Sequence, residues 1–201
     1  MRFLLLSLLF SFSANAANLQ GVGVFETLNK PWFMVGLYVD SNQPEIPQRI
    51  EFRVIEDKIS QQRFRQILVE AIAVAHEENI WQKHADELER FFSALQGPLR
   101  VNDRLVLERQ GDESVLNINL LEHARFSAEF IDVLTISMTG KIVLSSQLRA
   151  GLLGELPNDK TQSLKRKFDL MSPSLGRIAE TARWLRARST AVNNLASTPN
   201  V

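Results

Sequence analysis

Two apolar runs decide the fold predicted from this sequence: Gly21-Val22-Gly23-Val24-Phe25 and Trp32-Phe33-Met34-Val35-Gly36-Leu37-Tyr38-Val39. Both runs are rich in β-branched and aromatic residues, which favour β-strands. The tripeptide Asn29-Lys30-Pro31 between them is a turn signal, because Asn and Pro suit the backbone angles of tight turns. We therefore predict a β-hairpin over Val22–Val39.

Further along the chain, short strand patterns alternate with helical ones. Ser41–Pro47 contains Pro, Asn and Gln and is predicted to be a loop, whereas Ile50–Ile55 alternates and is predicted to be a strand. Helical spacing of apolar residues predicts a helix capped by Ser60 and reaching Ala75, and others over Gln82–Leu95, Phe126–Ile136 and Leu144–Leu153. A Gly-Asp turn between Leu105–Arg109 and Val115–Leu120 predicts a second hairpin. This order is typical of an α+β fold with an antiparallel β-sheet.

The composition excludes several classes of protein. The chain has 201 residues, of which 45% are hydrophobic, which is enough to bury a core and argues against disorder. Because it has no cysteine, disulfides, thiolate metal sites, iron–sulfur clusters and a cysteine nucleophile are excluded. Its 23 basic and 23 acidic side chains balance, so we expect no nucleic-acid partner.

The first sixteen residues have the pattern of a secretory signal peptide. Met1-Arg2 gives a positive start, Phe3–Phe12 is an apolar run, and Ser13-Ala14-Asn15-Ala16 ends in Ala-x-Ala. The alternative is an uncleaved anchor, but this run is too short to cross about 30 Å of hydrocarbon. We predict cleavage after Ala16 and export to a bacterial periplasm, which also suits a chain without cysteine.

Charge divides the remaining chain into two parts. Residues 17–157 carry 14 basic and 20 acidic side chains, whereas residues 158–201 carry 8 basic and 3 acidic ones. We predict a globular domain over 17–157 and a basic helical tail over 158–201. Leu175, Ile178, Ala182 and Leu185 form a helical stripe in this tail, next to Trp184 and several arginines. The tail therefore either docks on the acidic body or contacts a membrane surface or an acidic partner.

Several short matches, taken in order along the chain, resemble the chalcone isomerase-like family, particularly its exported bacterial branch. They are Gly21-Val22-Gly23-Val24, Trp32–Val39, the helices over Ser60–Leu95, the strand Asp103–Glu108, and Ser145–Gly154. The resemblance implies an antiparallel sheet backed by helices, an open-faced β-sandwich, with a cleft between the layers. In the family's isomerases this cleft closes a flavanone ring. An arginine stabilises the developing oxyanion there, while a tyrosine, a threonine and an asparagine arrange water and hydrogen bonds.

This chain departs from that pattern in the cleft. In the register of the resemblance, Phe25 takes a position that is arginine in exported relatives, and Phe33 takes one that is polar or tyrosine. The single tyrosine, Tyr38, fills a structural position. Because phenylalanine cannot donate a hydrogen bond to an oxyanion, we predict no catalytic residue. We instead take Phe25, Phe33, Phe52 and Phe64 as candidates for an apolar ligand cleft, with plain core packing as the alternative.

The histidines do not have the spacing of metal ligands. His76 and His84 are eight residues apart, whereas a pair on one helix face needs three or four. We expect both on solvated surface, and His123 in a structural position. No nucleophile elbow, phosphate loop or dinucleotide fingerprint is present, so we predict neither a metal nor a cofactor.

Three hypotheses for function follow. The first is an exported, non-catalytic domain that binds either an apolar small molecule or an envelope protein partner. The small molecule would be fatty-acid-like, since relatives of the resembled family include fatty-acid binders. The second is an isomerase or lyase that uses other cleft residues. The third is a structural partner in an envelope protein complex.

Overall fold

The computed structural model describes residues 17–196, with side chains described for residues 17–186. The predicted signal peptide therefore lies outside the described residues. The strands are β1 (Asn18–Thr27), β2 (Lys30–Asp40), β3 (Gln43–Val54), β4 (Lys58–Ile59), β5 (Leu99–Arg100), β6 (Arg104–Gln110), β7 (Glu113–Ile118) and β8 (Leu121–Ser127). The helices are α1 (Gln61–Ala75), α2 (Asn79–Lys83), α3 (Ala85–Ser93), α4 (Phe130–Thr139), α5 (Ser146–Leu152), α6 (Asn158–Leu170) and α7 (Leu175–Ala196). None of these described helices has the length and apolar composition needed to cross a membrane.

Six strands form one antiparallel sheet in the order β1-β2-β3-β6-β7-β8, and β4 pairs with β5. The sheet has an inner face, defined by Phe33 and Val35 of β2, and an outer face, defined by Met34 and Tyr38 of the same strand. Helices α1, α3, α4 and α5 contribute side chains to the core on the inner face. The predicted α+β class with an antiparallel sheet backed by helices is confirmed.

Helix α5 lies unusually close to the first strand because glycines face each other across the contact. A Cβ added to Gly151 would lie 2.5 Å from the carbonyl oxygen of Val22, and one added to Gly23 would lie 2.5 Å from that of Leu148. Only glycine allows this approach of two backbones. The glycines that marked the first apolar run therefore set the distance between helix and sheet.

The first hairpin is confirmed, but its turn lies earlier than predicted. Leu28 and Asn29 form the two-residue turn with φ of 51° and 61°, and Pro31 belongs to β2. Two positive φ angles match the right-handed twist of paired strands, and Asn adopts them readily. The prediction of a loop over Ser41–Pro47 is wrong from Gln43 onward, where β3 begins.

Prolines in β3 are tolerated because of where they lie in the sheet. Only Arg49–Arg53 of β3 pairs with β6, so the first half of β3 pairs with β2 alone. Pro44 and Pro47 fall in that half, where one edge of the strand has no pairing partner. A residue without a backbone N–H is tolerated at such an edge.

Two predicted helices have different bounds. The helix over Gln82–Leu95 is divided at His84 into the end of α2 and the whole of α3. The helix predicted over Phe126–Ile136 begins only at Phe130, because Phe126 belongs to β8. The rings of Phe126 and Phe130 stack with centroids 4.5 Å apart, so two elements that pack together mimic the spacing of one helix.

The basic tail docks on the body, as one of the two alternatives predicted. Phe168 of α6 is completely buried on the outer face, against the space left by Gly36. In α7 the buried face contains Thr181 and Trp184, whereas Leu175 of the predicted stripe is 84% exposed. The apolar stripe predicted from the sequence therefore does not coincide with the face of α7 that packs on the body.

Candidate functional site

The four predicted cleft residues come together in one aromatic cluster, defined as Phe25, Phe33, Phe52 and Phe64. Each is at most 1% exposed. Phe25 and Phe33 are neighbours across β1 and β2, and their rings stack with centroids 5.0 Å apart. Phe33 and Phe52 contact the ring of Phe64 edge to face, at 5.9 and 6.2 Å. The cluster thus fills the space between the first three strands and α1.

The aromatic cluster is built from residues that the strand and helix periods direct inward. Phe25, Phe33 and Phe52 all lie on the inner face, and Phe64 begins the buried stripe of α1. Ser60 caps this helix by accepting a hydrogen bond from the amide of Arg63, which fixes the start of the stripe. None of the four side chains carries a polar atom, so the cluster is purely hydrocarbon and cannot stabilise a charge.

The rim of the cluster carries two cations around one tryptophan. Trp32 is half-buried against the core, and its indole N–H donates to Thr27 Oγ1 at 2.7 Å. Lys30 Nζ lies 4.6 Å from the ring centroid, and the Arg63 guanidinium carbon lies 4.9 Å from it. Lys30 pairs with Glu56 at 3.0 Å, whereas no carboxylate of the described residues lies within 4.0 Å of the Arg63 guanidinium. Residues Trp32, Lys30 and Arg63 are called the cationic rim below.

A second candidate is a cavity of about 270 Å³ among the helices of the inner layer, called the helical cavity. It is lined by His76, Ile80, Lys83, His84, Glu129, Asp132, Val133 and Ile136. The prediction that His84 is solvated is wrong, because this side chain is 4% exposed. The half-buried His76 contacts α4 through its Nε2, 3.0 Å from the Val133 carbonyl oxygen.

Charged pairs border the helical cavity. His84 Nδ1 lies 2.6 Å from Glu87 Oε2, and the amide of Ser127 donates to Glu87 Oε1 at 2.7 Å. Burial alone would raise the pKa of Glu87, but these hydrogen bonds lower it. The hydrogen bond from Lys83 to Glu129, at 2.8 Å, raises the pKa of the amine and lowers that of the carboxyl. Among the described residues, no three His, Asp or Glu side chains form a group that could hold a metal ion.

The outer face carries a buried charged cluster where the tail docks. Glu51 Oε1 accepts from Arg53 Nε at 2.5 Å and from Arg104 Nε at 2.6 Å. Burial alone would raise the pKa of Glu51, but the two arginines lower it. Arg53 Nη1 donates to the backbone carbonyls of Phe168 and Met171, so it holds the end of α6.

Comparison with known proteins identifies the fold. No protein-family model matches the sequence, and no curated protein matches it either. Among solved structures, the chain is similar to a fatty-acid binding protein from Arabidopsis thaliana, with a TM-score of 0.50 over 74% of this chain and 89% of that protein. The chain has the chalcone isomerase-like fold. The identity of 13% establishes this fold and not an activity.

Within the chalcone isomerase-like fold, Tyr38 lies away from the aromatic cluster. Its ring is on the outer face, stacked 3.7 Å from the Arg49 guanidinium carbon. Burial, assisted by the charge of Glu51, raises the pKa of its phenol. The only tyrosine therefore offers nothing to the inner face, as the sequence predicts.

Sequence reasoning missed the cationic rim and the burial of His84. The residues of the rim come from the beginning of β2 and from the first turn of α1, which are distant in the sequence. Lys30 lies two residues before Trp32, and Arg63 lies three residues after the helix cap Ser60. These two positions would have been a weak signal for a cationic site. His84 gave no signal, because its acidic neighbours resemble those of an exposed helix.

Proposed function

We propose that this protein is an exported, non-catalytic domain of the chalcone isomerase-like fold that binds a fatty-acid-like small molecule at the aromatic cluster. The observation that carries the proposal is the cluster itself, which is buried, contiguous and purely hydrocarbon. A ligand that occupies it must be apolar over most of its length, because a polar group there would lose its hydrogen bonds with water.

The same observation supports a non-catalytic role at this site. Closing a ring around a developing oxyanion requires fixed donors, and losing one such donor slows a reaction by about two to three orders of magnitude. Phe25 and Phe33 stack on each other where such donors are expected from the resemblance. The fatty-acid binding protein with the same fold is consistent with a ligand in place of a substrate.

The cationic rim would bind the headgroup of this ligand. Arg63 and Lys30 flank Trp32 at the edge of the core, so a carboxylate could lie there while an acyl chain extends among the rings. The four rings fill the space in the structure, so the acyl chain must displace them. Arg63 is the principal candidate because Glu56 already neutralises Lys30.

Thermal unfolding with a panel of fatty acids tests the proposal. A ligand present at a hundred times its dissociation constant stabilises the folded state by about 2.7 kcal/mol. In a domain of this size that free energy raises the melting temperature by about 5–10 °C. We expect the rise to increase with chain length, and mass spectrometry of protein purified from the periplasm to show a bound lipid. An unshifted melting temperature over the whole panel, with no lipid bound, would contradict the proposal.

A pair of matched variants locates the ligand. Phe52→Trp overfills the aromatic cluster, whereas Phe91→Trp overfills a separate group of rings around Phe126 and Phe130. Both parent side chains are 1% exposed, so both variants should lose stability by about 1–3 kcal/mol. We expect only Phe52→Trp to abolish the shift caused by a fatty acid. Loss of the shift in Phe91→Trp alone would place the ligand elsewhere.

A second pair of variants tests the headgroup. Arg63→Gln removes the rim guanidinium. Arg65→Gln removes another guanidinium of α1, which pairs with Glu89 of α3. We expect Arg63→Gln to weaken binding of a fatty acid by about tenfold or more but to leave binding of the fatty alcohol unchanged. Arg65→Gln should change neither, and equal binding of acid and alcohol by the parent protein would refute this role of the rim.

Export and an envelope protein partner are further parts of the proposal. The signal pattern of residues 1–16 supports export, and osmotic-shock fractionation tests it. Recovery of the protein with the cytoplasm and with Met1 still present would contradict it. A partner would be detected by cross-linking in the periplasm, and disappearance of the cross-linked species in a fatty-acid-free strain would connect it to the ligand.

The alternative, an isomerase or lyase using other residues, is favoured by one observation. The His84–Glu87 pair borders the helical cavity, and a carboxylate that holds an imidazole is a common arrangement for proton transfer. Turnover of a chalcone-type enone that is abolished by His84→Gln and unaffected by Phe52→Trp would establish this alternative. No turnover by the parent protein would exclude it for that substrate.

A further inference from the structure

We propose that the junction of α6 and α7 is a docking surface for an anionic lipid membrane, formed by Leu170, Leu175, Arg166 and Lys167. These four residues are called the tail junction. The inference is independent of the proposed ligand. The residues that anchor the tail junction, Phe168 and Met171, pack on the outer face of the sheet, whereas the aromatic cluster lies on the inner face.

Two leucines are almost fully exposed at the tail junction. Leu170 is 85% exposed and Leu175 is 84% exposed, at the end of one helix and the beginning of the next. Five residues of chain span at most about 18 Å, so the two side chains belong to one end of the tail. Two large exposed apolar side chains within so short a segment indicate a contact surface more strongly than widely scattered ones do.

The position of Leu170 is fixed by its neighbours. The carbonyls of Phe168 and Met171, on either side of it, both accept hydrogen bonds from Arg53 of β3. Phe168 is completely buried, and Met171 is 8% exposed. Leu170 therefore projects from an anchored segment, and its exposure is imposed by the packing of its neighbours.

The charge next to these leucines indicates the chemistry of the partner. Arg166 and Lys167 are exposed and lie one helical turn before Leu170, on the same side of α6. Within residues 17–186, no carboxylate lies within 4.0 Å of either cation. The two cations outnumber the exposed carboxylate of Asp169 in this turn. Apolar side chains flanked by an excess of positive charge match the boundary between anionic headgroups and acyl chains.

The structure moves this surface away from the stripe that the sequence suggested. Trp184 faces the protein, where its ring meets Gly97 and the ring of His123. Arg177 of the same helix donates to the buried carboxylate of Asp103 at 2.6 Å. These residues dock the tail, and the junction before them is directed to solvent.

Vesicle sedimentation tests the docking surface. The chain from Ala17 onward is used, so that the apolar run Phe3–Phe12 does not contribute. The vesicles are phosphatidylglycerol mixed with phosphatidylcholine, compared with phosphatidylcholine alone. We expect binding to the anionic vesicles only, with an affinity that falls as salt rises. Equal binding to both vesicles, or to neither, would overturn the proposal.

Matched variants assign the binding to the tail junction. The double variant Leu170→Glu/Leu175→Glu should weaken vesicle binding by about tenfold or more. Leu28→Glu, at a hairpin tip that is 100% exposed, should leave it unchanged. Arg166→Gln/Lys167→Gln should weaken it by about fivefold per charge.

Thermal unfolding and light scattering complete the test. All the replaced side chains are exposed, so the melting temperatures should stay within a few degrees of the parent protein. Vesicle binding unchanged in the leucine variant would overturn the proposal. So would a parent protein that is dimeric and becomes monomeric in that variant, because the surface would then bind a second copy.

Discussion

At the scale of single residues, Phe25 decides whether the space between sheet and helices is closed. Its side chain is 1% exposed and stacks on Phe33. Phe25→Arg would place a charge against hydrocarbon, which costs several kcal/mol unless an anion accompanies it. We expect a loss of more than about 3 °C in melting temperature, because about 1 kcal/mol corresponds to about 2–4 °C in a domain of this size.

Leu28→Arg is the matched control for Phe25→Arg, since it adds the same charge to the same hairpin at a fully exposed position. It should melt within about 1 °C of the parent protein. A loss below about 3 °C in Phe25→Arg would show that the cluster opens readily to water.

Glu51 is a buried carboxylate whose charge is stabilised by Arg53 and Arg104. Its pKa in the folded protein lies below the ordinary value of 4.5. The folded state therefore binds fewer protons than the unfolded state in acid. The stability that Glu51 contributes is present above about pH 4.5 and is lost as the pH falls through the lowered pKa.

Glu51→Gln tests this contribution. Breaking a buried ion pair from one side destabilises a protein by about 3–5 kcal/mol, so the variant should melt well below the parent protein at pH 7. The difference between the two melting temperatures should shrink as the pH is lowered below 4.5. Thermal unfolding over a pH series measures it, and a difference independent of pH would contradict the lowered pKa.

At the scale of elements, the contact of α5 with β1 tolerates no side chain. Gly23→Ala would place a methyl group 2.5 Å from the Leu148 carbonyl oxygen, so the helix would have to move. We expect a loss of about 1–3 kcal/mol by urea unfolding. Gly176 lies in α7, and a Cβ added to it would be 3.9 Å from its nearest neighbour, Ser174 Oγ. Gly176→Ala should therefore stabilise the protein by up to about 1 kcal/mol. Equal effects would show that α5 is not held by this contact.

The bounds of helices and strands were predictable where the apolar residues of a segment follow a single helical or strand spacing. Ser60 and the apolar stripe of α1 defined that helix, and the two β-prone apolar runs defined the strands of the first hairpin. The prediction was wrong where contacts between elements imitate a period, as with Phe126 and Phe130. It was also wrong for the first half of β3, because pairing with β2 outweighs the preference of proline for loops.

At the scale of the whole molecule, the tail is a structural part of the protein. Phe168→Ala should cost about 3–5 kcal/mol, because it empties a completely buried site on the outer face. Leu170→Ala, two residues away and exposed, should change stability by less than about 0.5 kcal/mol. Removal of residues 158–201 should destabilise the body as well, since Arg53 would lose its carbonyl partners. Unchanged unfolding of Phe168→Ala would contradict docking of the tail.

The candidate site was predictable only in part. Phe25 and Phe33 could be placed through the register of the family resemblance, whereas Phe52 and Phe64 follow the periods of β3 and α1. The cationic rim could not, because Lys30 and Arg63 meet only through the packing of α1 beside the first hairpin. The same applies to Leu170, whose exposure depends on a hydrogen bond from a strand more than a hundred residues earlier.

The burial of Trp184 has a consequence for the order of events during synthesis. Among residues 17–186, every other member of the inner core is made before Trp184, the last being Leu152. A growing chain therefore leaves the surface around Gly97 uncovered until α7 emerges. The charged cluster under α6 lacks its carbonyl partners until Phe168 and Met171 have been made. Both surfaces are therefore covered only after the whole sheet and the helices of the inner layer have been made. We expect nascent chains halted at Gly154 to be digested by protease much faster than the finished protein.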